Sequence, residues 1–146
     1  MSNTFRLKVV QDLAQKQSDD AAIQLGALNA EAAKAQAKLD MLIGYRDEYR
    51  ERFRSAVNQD MHSAGWKNFQ QFLEKLDEAI EQQRAAVLVC QQAIHRGQRE
   101  WQSKQKQVKA YDTLAQRHEL AQAERLKRLD QRIMDDFAAR AHAAKA

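Results

Sequence analysis

At 146 residues, with no proline, four glycines and many Ala, Gln, Lys, Arg, Glu and Leu residues, the chain has the length of one domain and the composition of an all-α protein. Hydrophobic residues make up 44% and charged residues 30%. Much of the apolar share is alanine, so these proportions argue against a thick globular core and for an elongated coiled coil. The net charge of +4 permits acidic partners but is too small a basic excess to require nucleic acid.

The N-terminal run "MSNTFRLKVVQDLAQKQ" turns polar too soon for the apolar core of a secretory signal. No stretch approaches the roughly 18 apolar residues of a membrane span. Cys90 is the single cysteine, so an internal disulfide is excluded. The sequence reads as cytoplasmic, without direct membrane insertion.

The first predicted element is a helix over about residues 5–57. Its apolar track runs Leu7, Val10, Ala14, Gln17, Ala21, Leu28, Ala32, Leu39, Ile43, Arg50, Phe53 and Val57, with polar interruptions and an uncertain register near Gln24. A break follows at "NQDMHSAGW", where Asn58, Asp60, Ser63 and Gly65 predict a turn over about 58–65, with Ser63 a candidate N-cap for the next helix.

The second helix, over about 65–140, carries the cleaner pattern. Steps alternating between four and three residues lead from Phe69 through Leu73, Leu76, Ile80, Gln83, Val87, Cys90, Ile94, Gly97, Trp101, Lys104, Val108, Tyr111 and Ala115 to His118. That alternation marks the seam of a left-handed coiled coil. Gly97 and Lys104 depart from it, either as a tolerated thin layer beside Trp101 or as a point of flexibility. A short turn makes the two helices antiparallel. The expected fold is a single coiled-coil domain over 1–146: a long two-helix antiparallel coiled coil, or helical hairpin. At about 1.5 Å per residue its helices would measure roughly 80 Å and more than about 100 Å.

The second helix overhangs. Its last part, "ERLKRLDQRIMDDFAARAHAAKA", combines basic Arg125, Lys127, Arg128 and Arg132 with apolar Leu126, Leu129, Ile133, Met134 and Phe137. Those five either pack on the start of the first helix or enter another protein.

Little in the sequence suggests catalysis. His62, His95, His118 and His142 lie far apart with no Cys or carboxylate at metal-ligand spacing. Cys90 falls on the seam, where it fills space and has no base beside it. The glycines match no phosphate-binding fingerprint, and a two-helix rod offers no enzyme-like concavity. The expectation is a non-enzyme without cofactor or metal.

The stretch "LDMLIGYRDEYRERF" raises the functional question. With Leu39, Ile43, Arg50 and Phe53 assigned to the seam, Leu42, Tyr45 and Tyr49 line its flank. Antiparallel pairing sets them opposite a second flank of Phe72, Leu76 and Ala79, continuing to Gln83 and Ala86. Several exposed apolar side chains together mark a contact surface, and tyrosine is a residue type enriched at interfaces. Rotation of the first helix would instead bury them in the seam.

At these residues the chain resembles a known family. "MLIGYRDEYR", "WKNFQQFLEKLDEAIEQQ" and "DDFAARA", in this order around one short turn, resemble the FliJ family of the bacterial flagellar type III export apparatus over essentially the whole chain. The resemblance implies an antiparallel coiled coil similar to the central stalk of rotary ATPases. It implies a protein that binds the flagellar export ATPase, promotes assembly of the ATPase ring, docks on the cytoplasmic region of the membrane export gate, and is linked to recycling of the export chaperones. The implied location is cytoplasmic, peripheral to the inner membrane at the export apparatus. The family's gate-binding face matches at Leu42, Tyr45, Tyr49, Phe72, Leu76 and Ala79. It departs at Lys38 and Gln83, peripheral to that face, where the family pattern places a glutamine and a histidine. Two alternatives stay open on sequence alone: the equivalent stalk protein of an injectisome, and a basic structural or nucleic-acid-binding coiled coil.

Overall fold

The computed structural model describes residues 2–57 and 63–145, all of them helical. Helix α1 spans Ser2–Val57 and α2 spans Ser63–Lys145. The two pack against each other as a helical hairpin, with contacts that advance along α1 while receding along α2. Asn58, Asp60, His62 and the side chain of Ser63, on which the expected turn and N-cap rest, lie outside the described residues. The absence of proline leaves both helices uninterrupted. Exposed pairs one turn apart support them, among them Glu31–Lys34 at 3.6 Å, Glu81–Arg84 at 3.8 Å and Glu124–Arg128 at 3.8 Å, each contributing about 0.2–0.5 kcal/mol.

Two compact units divide the chain, one formed by residues 20–101 and the other by 1–19 together with 102–146. In the 20–101 unit the core is Leu39, Ile80 and Val87, with Ala35, Leu42 and Ile43 packed against it. Ile80 is the most enclosed side chain, 1% exposed. A run of rings closes one end of this core. Tyr49 stacks on Phe69 at 4.4 Å, Phe53 stacks on Phe69 at 3.9 Å, and Trp66 tilts against Phe53 at 4.7 Å.

The 1–19/102–146 unit has a thinner seam. Ala14 and Ser18 are its buried residues, and polar side chains hold the helices where apolar volume is lacking. Gln11 donates to Asp112 at 3.0 Å, Thr4 Oγ1 and His118 Nε2 are hydrogen-bonded at 3.2 Å, and Gln122 reaches Thr4 at 3.5 Å.

Every member of the register read from Phe69 to His118 on α2 is buried or half-buried. On α1 the pattern needs correction. The residues facing α2 run Leu7, Gln11, Ala14, Ser18, Ala21, Leu25, Leu28, Ala32, Ala35, Leu39, Leu42, Arg46, Tyr49, Phe53 and Ala56, whereas Gln17, Arg50 and Val57 are exposed. The heptad itself is regular, but polar or small side chains fill many of its positions, so apolarity drew the expectation onto neighbours. Arg46 is the clearest case. Its side chain is 21% exposed, with Nη1 at 3.5 Å from Asp77 of α2. Its aliphatic stem supplies packing while the charge is partly met across the seam. The pair is loose, for Arg46 Nε and Asp77 Oδ1 are buried without a hydrogen bond.

Gly97 has a packing role. A Cβ built there meets Leu28 Cδ1 at 2.8 Å and Leu25 Cδ1 at 3.4 Å, so the missing side chain is where α1 leucines enter α2. The reading of this position as a thin layer is thereby given a physical cause. Gly97→Ala gains up to about 1 kcal/mol of helix propensity and displaces only a leucine tip, leaving stability within about 1 kcal/mol of the parent. Gly97→Leu overfills the layer and is expected to lose about 1–3 kcal/mol. At Gly26 nothing lies within 4 Å of such a Cβ, so Gly26→Ala is expected to stabilise by roughly 0.5–1 kcal/mol. Urea unfolding of the three variants checks the two signs and the near-neutrality of Gly97→Ala.

Candidate functional site

The aromatic face belongs to the 20–101 unit. The four-three pattern on α1 carries Tyr49 toward Phe69 and leaves Tyr45, one turn earlier and about 40° round the helix, at the exposed edge. On α2, Phe69 faces inward and Phe72 stands at the edge. Tyr45 is 51% and Phe72 47% exposed, large values for rings beside a packed core. Tyr49 is half-buried between Phe69 and Phe72, tilted 54° to the latter at 4.5 Å.

Tyr45, Tyr49, Phe72 and Leu76 line one groove of about 210 Å³, with Glu48 and Arg52 completing its border. The structure therefore brings four of the expected face residues together. It places Leu42 in the core cluster with Leu39 and Ile80, so Leu42 and Tyr49 belong to the seam and not to a separate flank as the sequence suggested. Ala79 is half-buried and Lys38 exposed. Gln83 is half-buried and donates Nε2–H to the Ala35 carbonyl at 2.9 Å, a bond from one helix to the other.

Sequence reasoning missed Glu48 and Arg52. They lie four residues apart on the exposed side of α1, and among the described residues neither has an ion-pair or hydrogen-bond partner. The signal available was their i, i+4 spacing beside two tyrosines. Charges on a helix surface are so common that the spacing alone would not single them out.

The 1–19/102–146 unit carries other apolar surface. From residue 119 to 145 every side chain of α2 is exposed, including Leu126, Leu129, Ile133, Met134 and Phe137. Of the two readings of this stripe, packing on the start of α1 is excluded. Phe5, Val9 and Leu13, spaced by four residues, are also exposed. This second stripe was hidden in the sequence by Leu7 and Val10, which lie between its members and face the other way. Arg6, Leu7, Val10, Tyr111, Leu114 and His118 line most of an apolar groove of about 370 Å³ in the same unit.

The chemistry of the remaining polar groups is sparse. Among the described residues no cluster of three or more His, Cys, Asp or Glu could hold a metal ion. Cys90 is a free, half-buried thiol, and no helix of the described residues is long and apolar enough to cross a membrane. What the described surfaces offer is exposed apolar side chains.

Comparison with known proteins identifies the family. The family profile described as "Flagellar FliJ protein" matches residues 2–146. A flagellar FliJ protein of Salmonella typhi is 36% identical over 141 residues, 97% of this chain and 96% of that relative. A flagellar FliJ protein of Escherichia coli strain K12 has the same 36% identity over 141 residues, with 97% and 96% of the two chains covered. With its whole described length matched and a third of its residues shared with curated members, the chain belongs to the FliJ family of flagellar proteins.

Proposed function

We propose that this chain is a non-enzymatic component of the bacterial flagellar type III protein export apparatus. In this reading it binds the export ATPase, promotes assembly of the ATPase ring, and couples that ring to the cytoplasmic region of the membrane export gate. It works in the cytoplasm, peripheral to the inner membrane, and takes part in recycling export chaperones. The observation that carries the reading is that apolar side chains at helical spacing stand exposed in both compact units: Tyr45 and Phe72 in one, Phe5, Val9, Leu13 and the Leu126–Phe137 stripe in the other. Surfaces of this kind on a soluble helix pair are contact sites, and one chain with two such surfaces can hold two partners. The family resemblance supports reading the aromatic face as the gate contact. The stripes at the beginning of α1 and the end of α2 are then assigned to the ATPase ring.

A pull-down of the purified chain with the export ATPase of the same bacterium, read alongside ATP hydrolysis, tests the reading. Capture of the ATPase with a raised hydrolysis rate is expected, and both effects weaken when Leu129, Ile133 and Phe137 are replaced by serine. Absence of binding and of stimulation by the unaltered chain overturns it.

A further inference from the structure

The groove on the aromatic face has a shape and a charge pattern that go beyond its apolarity. Its floor is half-buried Tyr49 and Leu76, its walls are exposed Tyr45 and Phe72, and its volume is about 210 Å³. A cavity of roughly 150 Å³ already admits benzene, so this groove accepts one bulky apolar side chain and not a row of them. Glu48 and Arg52 stand at its border, both from α1 and four residues apart. That spacing sets opposite charges about 6 Å apart along the helix.

Neither Glu48 nor Arg52 has an internal partner among the described residues, so both are free to meet charges of a bound segment. Some charged neighbours are paired, Glu51 with Arg54 at 4.0 Å and Arg46 with Asp47 at 3.8 Å and Asp77 at 3.5 Å, whereas Arg50, like Glu48 and Arg52, has no partner among the described residues. Rim charges beside an apolar anchor set orientation and association rate more than they set affinity.

From this we infer that Glu48 and Arg52 are specificity-determining residues that fix the direction of the segment bound in the groove. The occupant is a peptide segment of the partner with one bulky apolar side chain seated between Tyr45 and Phe72. A basic side chain next to that anchor meets Glu48, and an acidic side chain further along in the same direction meets Arg52. A segment laid in the reverse direction carries both side chains away from these charges and loses both pairs. The inference rests on the reading of this face as the export-gate contact.

The test uses the full chain and the cytoplasmic region of the export gate from the same bacterium, titrated at low and at raised salt. Glu48→Lys and Arg52→Glu are each expected to weaken binding about three- to tenfold at low salt, with the difference from the parent shrinking as salt rises. Both positions are at the surface, and unchanged helicity and melting temperature confirm that the variants fold. Tyr45→Ala is measured in parallel. If Tyr45→Ala weakens binding and the two charge reversals leave it within twofold, the orientation role is overturned while the gate reading stands. If none of the three variants alters binding, the gate reading falls and the inference falls with it.

Discussion

Ile80→Ala is expected to lower the free energy of unfolding by about 2–3 kcal/mol. Ile80 is 1% exposed and sits in the cluster with Leu39 and Val87. Removing three carbons there forfeits their transfer free energy and leaves a void that two rigid helices close only in part. Two effects hold the loss toward the lower end of the usual range. Alanine is the better helix former, and a seam only two helices thick lies near solvent, so the gap opens to water instead of staying empty. Val89→Ala is the matched control, for Val89 is 60% exposed on the same helix and its loss is expected to stay within about 0.5 kcal/mol. Denaturant unfolding followed by helical circular dichroism reads both. Equal losses for the two variants would mean that the core is not where the structure places it.

The second large effect concerns the aromatic face. Replacing Tyr45 and Phe72 together with alanine is expected to reduce affinity for the cytoplasmic region of the export gate by tenfold or more, with helicity and ATPase binding retained. A few aromatic anchors usually carry most of an interface's energy, and each tenfold change is about 1.4 kcal/mol. Their exposure makes the double variant a clean probe. Tyr49→Ala is a poor one, since Tyr49 stacks on Phe69 at 4.4 Å with an interplanar angle of 1°. That stacking is worth about 0.5–1.5 kcal/mol beyond buried area. A variant that also lacks Tyr49 therefore mixes stability with recognition. Calorimetric titration of the double variant, with a melting curve alongside, separates the two. Unchanged gate affinity in a folded Tyr45→Ala, Phe72→Ala protein would remove this face from the interaction.

The legibility of the fold differed between the two helices for a physical reason. On α2 the seam positions between Phe69 and Ile94 are mostly large and apolar, so the four-three spacing was visible directly and the observed burial follows it. On α1 the same spacing is kept by Gln11, Ser18, Ala35 and Arg46, whose types do not announce burial. Gln11 is half-buried and donates to Asp112 at the seam's edge, and Arg46 faces Asp77 across the seam. Such positions are explained by the facing helix and not by α1's own sequence. The structure redraws the two tracks of "LDMLIGYRDEYRERF" by burial. Leu42 and Tyr49 hold the helices together, and Tyr45 is the tyrosine on display. The stripe of Phe5, Val9 and Leu13 was passed over, because Leu7 and Val10 of the inward track interleave with it.

The candidate site was legible to the extent that it is apolar. Tyr45, Phe72 and Leu76 could be placed near one another from antiparallel pairing alone, and they line one groove with Tyr49. Glu48 and Arg52 could not, because whether a surface charge is paired depends on rotamers and on the facing helix. Gly97 was visible as an anomaly in the register, but its cause lies in the leucine tips of α1 that reach it.

The central claim is that one chain joins the export ATPase to the export gate, and a bridging assay tests it most directly. The ATPase is immobilised and the cytoplasmic region of the gate is passed over it with and without this chain. The account predicts that the gate region is retained in proportion to the chain supplied, and that retention is lost with the Tyr45→Ala, Phe72→Ala variant while the variant itself still binds the ATPase. Retention that does not depend on the chain, or binding of the two partners only in mutual exclusion, contradicts it.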